Sequence, residues 1–310
     1  MPGTSRRVLL ALTAVLAGGA AVVGGTVLTT SSEAAPASAP AERTLASPEG
    51  LERLHRLPPV TERVFAWTDA HARSAEAQRR YAIDCMDRHG FRYAPPAPPA
   101  AGSGEDERPR PFGLELPPSA SRPGPAPSAE KPPKPGSPEA SPAYAKALFG
   151  DDGQRVVVHG EKGMKVSRPG NGCLADAEKH VLGDGRTRWL QVRITLFEAQ
   201  EQSRADVEKD PAFGAATARW RQCMERAGFP GLRDPLALPR ALPKDIVRAD
   251  LRCKSETGYL TVAYTRLAAV QQAWLDRHPA VAKDWTALLA RQDKAAREVL
   301  AAGGQGAARP

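Results

Sequence analysis

The sequence is poor in aromatic residues and carries none of the common catalytic motifs. Phe, Trp and Tyr make up 5% of its 310 residues, so a hydrophobic core must depend mainly on Leu, Val and Ala. Abundant Ala favours closely packed helices over sheets. The chain contains no C-x-x-C, H-E-x-x-H, G-x-S-x-G, P-loop or G-x-G-x-x-G pattern. These absences argue against zinc-ribbon and thioredoxin-like proteins, zinc peptidases, α/β-hydrolases and nucleotide-binding enzymes.

The chain also lacks any run of five basic residues, although its formal net charge is +8 and its isoelectric point is near 9.5. Most of the surplus lies in residues 143–310, where 27 basic and 20 acidic side chains leave a net charge of +7. Nucleic-acid-binding proteins usually cluster their basic residues on one face or in a recognisable module. The dispersed charge predicts no nucleic-acid partner, and it is compatible with attraction to anionic cell-wall polymers or lipid head groups.

The N-terminus has the composition of a membrane-targeting segment. Two arginines precede residues 8–28, which contain no charged residue, and small polar residues follow. This order is typical of a secretory signal peptide, and the apolar stretch is also just long enough to span a bilayer. Residues 1–41 are therefore interpreted either as a signal peptide, cleaved after Ala34 or Ala37, or as a transmembrane helix that anchors the protein, followed by a spacer.

The export route also has two interpretations. Residues 5–10, Ser-Arg-Arg-Val-Leu-Leu, resemble a twin-arginine signal, with Ala11 where that signal usually has a lysine. That route carries folded proteins, whereas disulfides do not form in a reducing cytosol, which favours export of the unfolded chain. Both routes predict an extracytoplasmic protein, either secreted or anchored to the outer face of the cytoplasmic membrane.

The next two segments differ sharply in composition. Residues 42–94 are predicted to be a helical segment, with an initial spacer through residue 58 and then one long helix over 60–89. Residues 95–142 contain 16 of the 30 prolines together with many Ala and Ser residues. This composition predicts a disordered linker. Its one apolar island, Phe112–Leu116, is expected to dock only transiently.

Residues 143–302 are predicted to form one helical domain with a small β-hairpin. Two short apolar runs around a Gly-bounded turn predict the hairpin over 155–167. The segment 189–209 fits both a strand and a helix, and its unbroken continuation favours the helix. Beyond it, two apolar stripes separated by a short break predict an antiparallel helical hairpin over 259–302. Residues 303–310 are expected to be a flexible tail.

Four cysteines lie beyond the N-terminal segment, which predicts two disulfides in an exported chain. Cys85-Met-Asp-Arg-His-Gly-Phe91 and Cys223-Met-Glu-Arg-Ala-Gly-Phe229 are two copies of one motif, each at a glycine-terminated helix end. Each copy is followed by a second cysteine, which we expect near the start of another helix. Of the three possible pairings, this repeat favours Cys85–Cys173 and Cys223–Cys253. The expected fold is therefore mostly α: a disulfide-stapled helical domain with a small β-hairpin, interrupted by a long Pro-rich disordered insertion.

Several short motifs in the second half of the chain carry a resemblance to known sequences. They are A-L-F-G-D-D-G at 147–153, G-C at 172–173, W-x-x-C-M-x-x-x-G at 220–228 and A-D-L-x-C-K at 249–254. Through them the chain resembles a group of exported actinobacterial proteins of unknown function, over roughly residues 143–302. These motifs are structural, so the resemblance implies no activity and no active site.

One pair of residues has a spacing that can bind a metal. Cys85 and His89 lie four residues apart on a predicted helix. The second copy of the motif has Ala227 at the matching position, so the histidine is interpreted as a helix-end residue beside a disulfide. We therefore predict no metal and no cofactor. The tryptophans on apolar helical faces, Trp220, Trp274 and Trp285, are expected in the core, and one of them becomes a binding contact if it lines an open groove.

Two functions from different classes remain. The first is a non-catalytic extracytoplasmic binding or scaffold protein of the cell envelope, with an envelope protein or a cell-wall polymer as partner. The second is a secreted or membrane-anchored hydrolase whose site is assembled from dispersed residues such as His159, His180 and Asp184. The missing catalytic motifs favour the first. A deep pocket lined by converging histidines and carboxylates would favour the second.

Overall fold

The computed structural model describes residues 48–102, 108–117, 134, 136–239 and 242–306. The predicted signal peptide or membrane anchor, residues 1–41, lies outside this part of the chain. The described residues form ten α-helices and one β-hairpin, in the order α1 Pro48–His55, α2 Pro59–Phe65, α3 Asp69–Arg88, α4 Pro142–Phe149, β1 Arg155–His159, β2 Lys165–Pro169, α5 Cys173–Leu182, α6 Arg186–Val207, α7 Pro211–Arg226, α8 Lys244–Glu256, α9 Tyr259–Arg277 and α10 Pro279–Gly306. The predicted mostly helical fold with one small hairpin is confirmed.

The ends of α3 and α7 explain why the sequence repeats one motif. In each copy the Phe N–H donates to the Met carbonyl five residues earlier, at 3.0 Å for Phe91 and 2.9 Å for Phe229. The preceding glycine has a φ of +77° or +91°, which side-chain-bearing residues rarely adopt. This is the Schellman arrangement that closes a helix C-terminus. Each motif methionine is fully buried, so one motif fixes both the helix end and its packing.

Both predicted disulfides are present. Cys85 is joined to Cys173 and Cys223 to Cys253, each with a Cα–Cα distance of 5.6 Å. Cys173 is the first residue of α5, as expected, whereas Cys253 lies in the last turn of α8. The expectation that both second cysteines begin a helix is therefore wrong for Cys253. The bridges join α3 to α5 and α7 to α8.

The N-terminal helical segment differs from its prediction in two places. The expected spacer contains α1, because Leu51 and Leu54 are buried in a hydrophobic cluster with residues of α7, α8 and α9. The expected helix over 60–89 is broken between Phe65 and Asp69, where Ala66 and Thr68 are extended. The break separates α2, which packs on α6 and α9, from α3, which packs on α5 and α10.

The prediction that residues 95–142 form a disordered linker is wrong for residues 108–117. Residues 108–117 are packed against the domain, and Phe112 is fully buried. Its ring lies 5.0 Å from that of Tyr264 and 5.6 Å from that of Phe213, between centroids. An aromatic side chain in such contacts is a core residue and does not dock transiently. Residues 103–107, 118–133 and 135 of the predicted linker lie outside the described residues.

The last two helices do not pack along each other as the predicted helical hairpin would. The stripe on α9 faces α6 and α7, whereas α10 packs mainly on α3. Only His278 separates the two helices, and Leu275 of α9 shares a hydrophobic cluster with Trp285 of α10. The expected tail also begins later than predicted, because α10 continues through Gly306, and residues 307–310 lie outside the described part.

Candidate functional site

The three residues considered for a dispersed hydrolase site contact different partners. His159 ends β1 and is exposed, and its carbonyl accepts a hydrogen bond from the side chain of Gln191. His180 is stacked on Tyr81 with ring centroids 4.6 Å apart. The exposed Asp184 pairs with Arg291 at 2.7 Å. Within the described residues, no hydrogen bond or ion pair joins any two of the three, so they do not form a triad or an acid/base pair.

The spacing of Cys85 and His89 does bring potential metal ligands together. One ligand atom from each of Cys85, His89 and Cys173 lies within 4.8 Å of the others, with His89 exposed. The two cysteines are joined in a disulfide, and metals bind cysteine as the thiolate. In the oxidised protein this cluster therefore offers a metal only the imidazole.

A groove of about 330 Å³ lies between α1, residues 115–117 and the junction of α8 with α9. Its size is in the range of small-ligand sites. It is lined by Leu51, Leu54, Glu115, Leu116, Pro117, Leu251, Arg252, Lys254, Ser255, Gly258, Leu260 and Thr261. Five leucines and a proline make most of this lining apolar, and Arg252 is the exposed charge at its edge.

A buried ion pair lies beneath the groove. The Lys254 ammonium is 3.0 Å from an Asp250 carboxylate oxygen, and both side chains are almost completely buried. Lys254 also donates to the Leu114 carbonyl at 2.6 Å, and the Trp220 indole N–H donates to the other Asp250 oxygen at 2.9 Å. Both charges are therefore paired with protein groups, as burial in a low-dielectric interior requires.

The second carboxylate of the groove is held in the same way. One Glu115 oxygen lies 2.5 Å from His55 Nε2, and the other accepts from the Tyr264 hydroxyl at 2.6 Å. The Glu115 side chain is fully buried in this arrangement. These bonds tie α1 and residues 108–117 to α9, so the groove has a fixed polar floor.

Burial disfavours the charged forms of the residues in this polar floor. It raises the pKa of Asp250 and lowers the pKa of Lys254, and in each case the partner charge opposes that effect. Burial also raises the pKa of the neighbouring Tyr259. Perturbed pKa values are common at catalytic sites, but here each carboxylate oxygen has a partner inside the protein. The groove therefore offers a shaped apolar surface, and the carboxylates of its floor, Glu115 and Asp250, are both paired within the protein.

The groove is not predictable from the sequence, because one of its walls is the docked segment 115–117, whose composition indicates a linker. Trp220 and Trp285 lie in the core as predicted, while Trp274 is partly buried and stacks on His278 with ring centroids 4.1 Å apart. The Asp250 to Lys254 spacing of four residues on a helix was the available signal for the ion pair.

A second polar cluster lies in the other half of the protein around His71. This side chain is fully buried, and its Nδ1 is 3.0 Å from the Thr68 hydroxyl. Burial, with a smaller contribution from Arg193, lowers the pKa of His71 from 6.5 to about 2. The histidine is therefore neutral in the folded protein at every physiological pH.

This buried histidine predicts a loss of stability in mild acid. Below pH 6.5 the unfolded chain binds a proton at His71 that the folded protein does not bind. The free energy of unfolding is therefore fully retained above pH 6.5 and falls below it, with a slope approaching about 1.4 kcal/mol per pH unit. Urea unfolding between pH 7 and pH 5 measures the slope. We expect His71→Gln to reduce it and the exposed His180→Gln to leave it unchanged, and equal slopes in both variants would refute this assignment.

No protein-family model, curated protein or solved structure shows significant similarity to this chain. The resemblance to exported actinobacterial proteins therefore stays a prediction. Among the described residues, no helix is both long and apolar enough to cross a membrane. The two disulfides indicate an oxidising, extracytoplasmic environment.

Proposed function

We propose that this protein is a non-catalytic binding protein of the cell envelope, and that its groove binds an apolar segment of a protein partner. The observation that carries the proposal is the composition of the groove. Leucine side chains form most of its surface, while its buried carboxylate and ammonium groups are already bonded within the protein. Binding at such a site is favourable because it removes apolar surface from water.

The chemistry of the groove favours a protein segment over a cell-wall polymer. Sugar polymers are hydrophilic and would leave the leucines without apolar partners. The edge of the groove carries Arg252, which is more than half exposed and forms a long ion pair of 3.7 Å with Glu256. Residues 143–310, which include the groove walls from α8 and α9, carry a net charge of +7. We therefore propose a segment with one or two apolar side chains beside an acidic residue.

The proposed location is the outer face of the cytoplasmic membrane or the space beyond it. Support comes from the two arginines and the apolar stretch at residues 6–28 together with the disulfides. Cleavage of the N-terminal segment would release the protein, and retention would anchor it. Both leave the groove on the extracytoplasmic side.

Blocking the groove is expected to abolish this binding. A displayed library of short peptides is selected against the exported protein with both disulfides formed, and should yield sequences with an acidic residue next to leucine, phenylalanine or methionine. Leu251→Arg places a charge among the groove leucines, and we expect it to weaken the selected peptides by about tenfold or more, since a buried leucine contributes about 1.5–3 kcal/mol.

The matched control makes the same kind of change away from the groove. Val157 on β1 is an exposed apolar residue outside the groove lining, so Val157→Arg should bind the selected peptides as the native protein does. Equal loss in both variants, or no enriched peptides, contradicts the proposal. Binding to anionic lipid vesicles that Leu251→Arg abolishes, without peptide binding, would replace the protein partner with a lipid. If the native protein hydrolysed a substrate and His159→Ala or His180→Ala abolished this activity, the hydrolase alternative would replace the proposal.

A further inference from the structure

A small polar cavity lies where α3, α5, α6, α10 and β2 meet, away from the groove. Its volume is about 30 Å³, room for one monatomic ion or one to two water molecules. Its lining includes His71, Glu178, Trp189, Arg193 and Gln292. The lining residues come from five elements, so the cavity is a product of the tertiary fold.

Two buried side chains of this cavity have polar atoms without partners among the described residues. Gln292 is 1% exposed, and both its amide nitrogen and its amide oxygen lack a hydrogen bond. His71 is 0% exposed, and its Nε2 also lacks one. Buried polar groups in folded proteins are nearly always hydrogen-bonded, so these atoms indicate a bound polar species.

Arg193 brings a positive charge to the cavity. Glu178 also lines it, but this carboxylate is bonded to Arg186 at 2.7 Å. No carboxylate of the described residues forms an ion pair with Arg193, whose guanidinium lies 6.0 Å from the Trp189 ring centroid. Arg193 is partly buried, and a guanidinium that is partly removed from water and has no ion-pair partner is stabilised by an anion bound next to it.

The histidine supplies a donor of the right kind. It is neutral, so one ring nitrogen carries a proton. When the Thr68 hydroxyl donates to Nδ1, Nε2 carries the hydrogen, in the buried position that lacks a partner. The cavity then has N–H donors from a guanidinium, an amide and an imidazole.

We infer that this cavity is a binding site for a small monovalent anion of the size of chloride or bromide, held by Arg193, Gln292 and His71. Phosphate and sulfate are too large for a space of about 30 Å³. Water satisfies hydrogen bonds but leaves the Arg193 charge unneutralised. The bound anion contacts α3, α6 and α10 and so links the three helices. This site is independent of what the groove binds.

Thermal unfolding at constant ionic strength tests this site. Sodium gluconate, whose anion is too large for the cavity, is replaced stepwise by sodium bromide. A ligand that binds only the folded state raises the midpoint with its concentration, here by about 3–6 °C for each tenfold increase above the dissociation constant. Arg193→Gln should lose this dependence. Arg219→Gln makes the same change at an exposed arginine of α7 and should keep it.

Two further measurements keep the test decisive. Gln292→Met removes the amide without changing the charge, and should weaken the bromide dependence even if Arg193→Gln folds poorly. Crystals grown in bromide should show an anomalous peak between Arg193, Gln292 and His71. A midpoint that does not rise with bromide, or that rises equally in Arg193→Gln, would overturn the inference and assign the cavity to water.

Discussion

Replacing Lys254 with methionine is expected to lower the free energy of unfolding by about 3–5 kcal/mol, one of the two largest effects predicted for this protein. Methionine has a similar length and leaves the packing nearly intact. It removes the ammonium that faces Asp250 at 3.0 Å and donates to the Leu114 carbonyl. The buried Asp250 carboxylate is then left without its counter-charge, which costs more than the pair itself contributes.

The pH dependence of this variant gives a second signature. Burial already raises the pKa of Asp250, and loss of the lysine raises it further. When the pKa of a carboxyl is higher in the folded than in the unfolded protein, the free energy of unfolding rises as the pH falls through the folded-state pKa. The deficit of Lys254→Met relative to the native protein should therefore shrink in acid, as Asp250 becomes protonated.

A double variant and a surface control separate charge from packing. Asp250→Asn combined with Lys254→Met leaves no buried charge and keeps an oxygen for the Trp220 indole, so it should be more stable than Lys254→Met alone. Lys244→Met changes an exposed lysine of the same helix and should stay within about 0.5 kcal/mol of the native protein. If urea unfolding gives the same stability for Lys254→Met and Lys244→Met, the buried pair does not stabilise the fold.

Removing the Cys85–Cys173 bridge by a double change to alanine should cost about 4–5 kcal/mol, and removing Cys223–Cys253 about 3.5–4 kcal/mol. The difference follows from the loops that the bridges close, because the cysteines are 88 residues apart in the first and 30 in the second. A longer closed loop removes more conformational freedom from the unfolded chain.

Denaturant unfolding of the two double variants without reductant measures both values. The native protein in excess reductant should lose at least as much stability as the less stable double variant. A reversed order would show that strain or denatured-state structure outweighs loop closure. A peptide linking Cys85 to Cys223 in a non-reducing digest would contradict the pairing itself.

The features that were predictable from the sequence are those with local causes. The motif around Cys85 and its copy around Cys223 contain every group of the helix end they form, including the glycine that adopts positive φ. The capping of α7 is also local, since the Asp210 side chain accepts from the backbone N–H groups of Ala212 and Phe213. Such contacts span only a few residues, so spacing alone reveals them.

The ambiguous segment 189–209 shows how burial obscures a periodicity. Leu190, Val192, Ile194 and Leu196 are all buried in α6, and they alternate as strand residues would. Residues two apart lie on nearly opposite faces of a helix. Their common burial means that α6 is covered on several sides, by α2, α9 and the β-hairpin, so the amphipathic signal of a surface helix is missing.

The features that could not be predicted depend on distant partners. The start of α2 is fixed by Gln271, whose side-chain oxygen accepts from the N–H groups of Val60 and Thr61 at 2.8 and 3.0 Å. That contact spans about 210 residues of sequence. The docking of Phe112 depends likewise on Phe213 and Tyr264. The groove depends on the same distant contacts, because residues 115–117 form its wall only when the apolar segment around Phe112 is docked.

The Cys85–Cys173 bridge has a topological consequence. Together with the intervening backbone it forms a covalent ring that includes the whole proline-rich segment between α3 and α4. Hydrolysis of any single peptide bond within the ring opens it into a linear chain without releasing a fragment, as long as the bridge stays oxidised. An envelope protease that cuts there once would therefore leave the groove walls from α1 and residues 115–117 tethered to the helices that complete it.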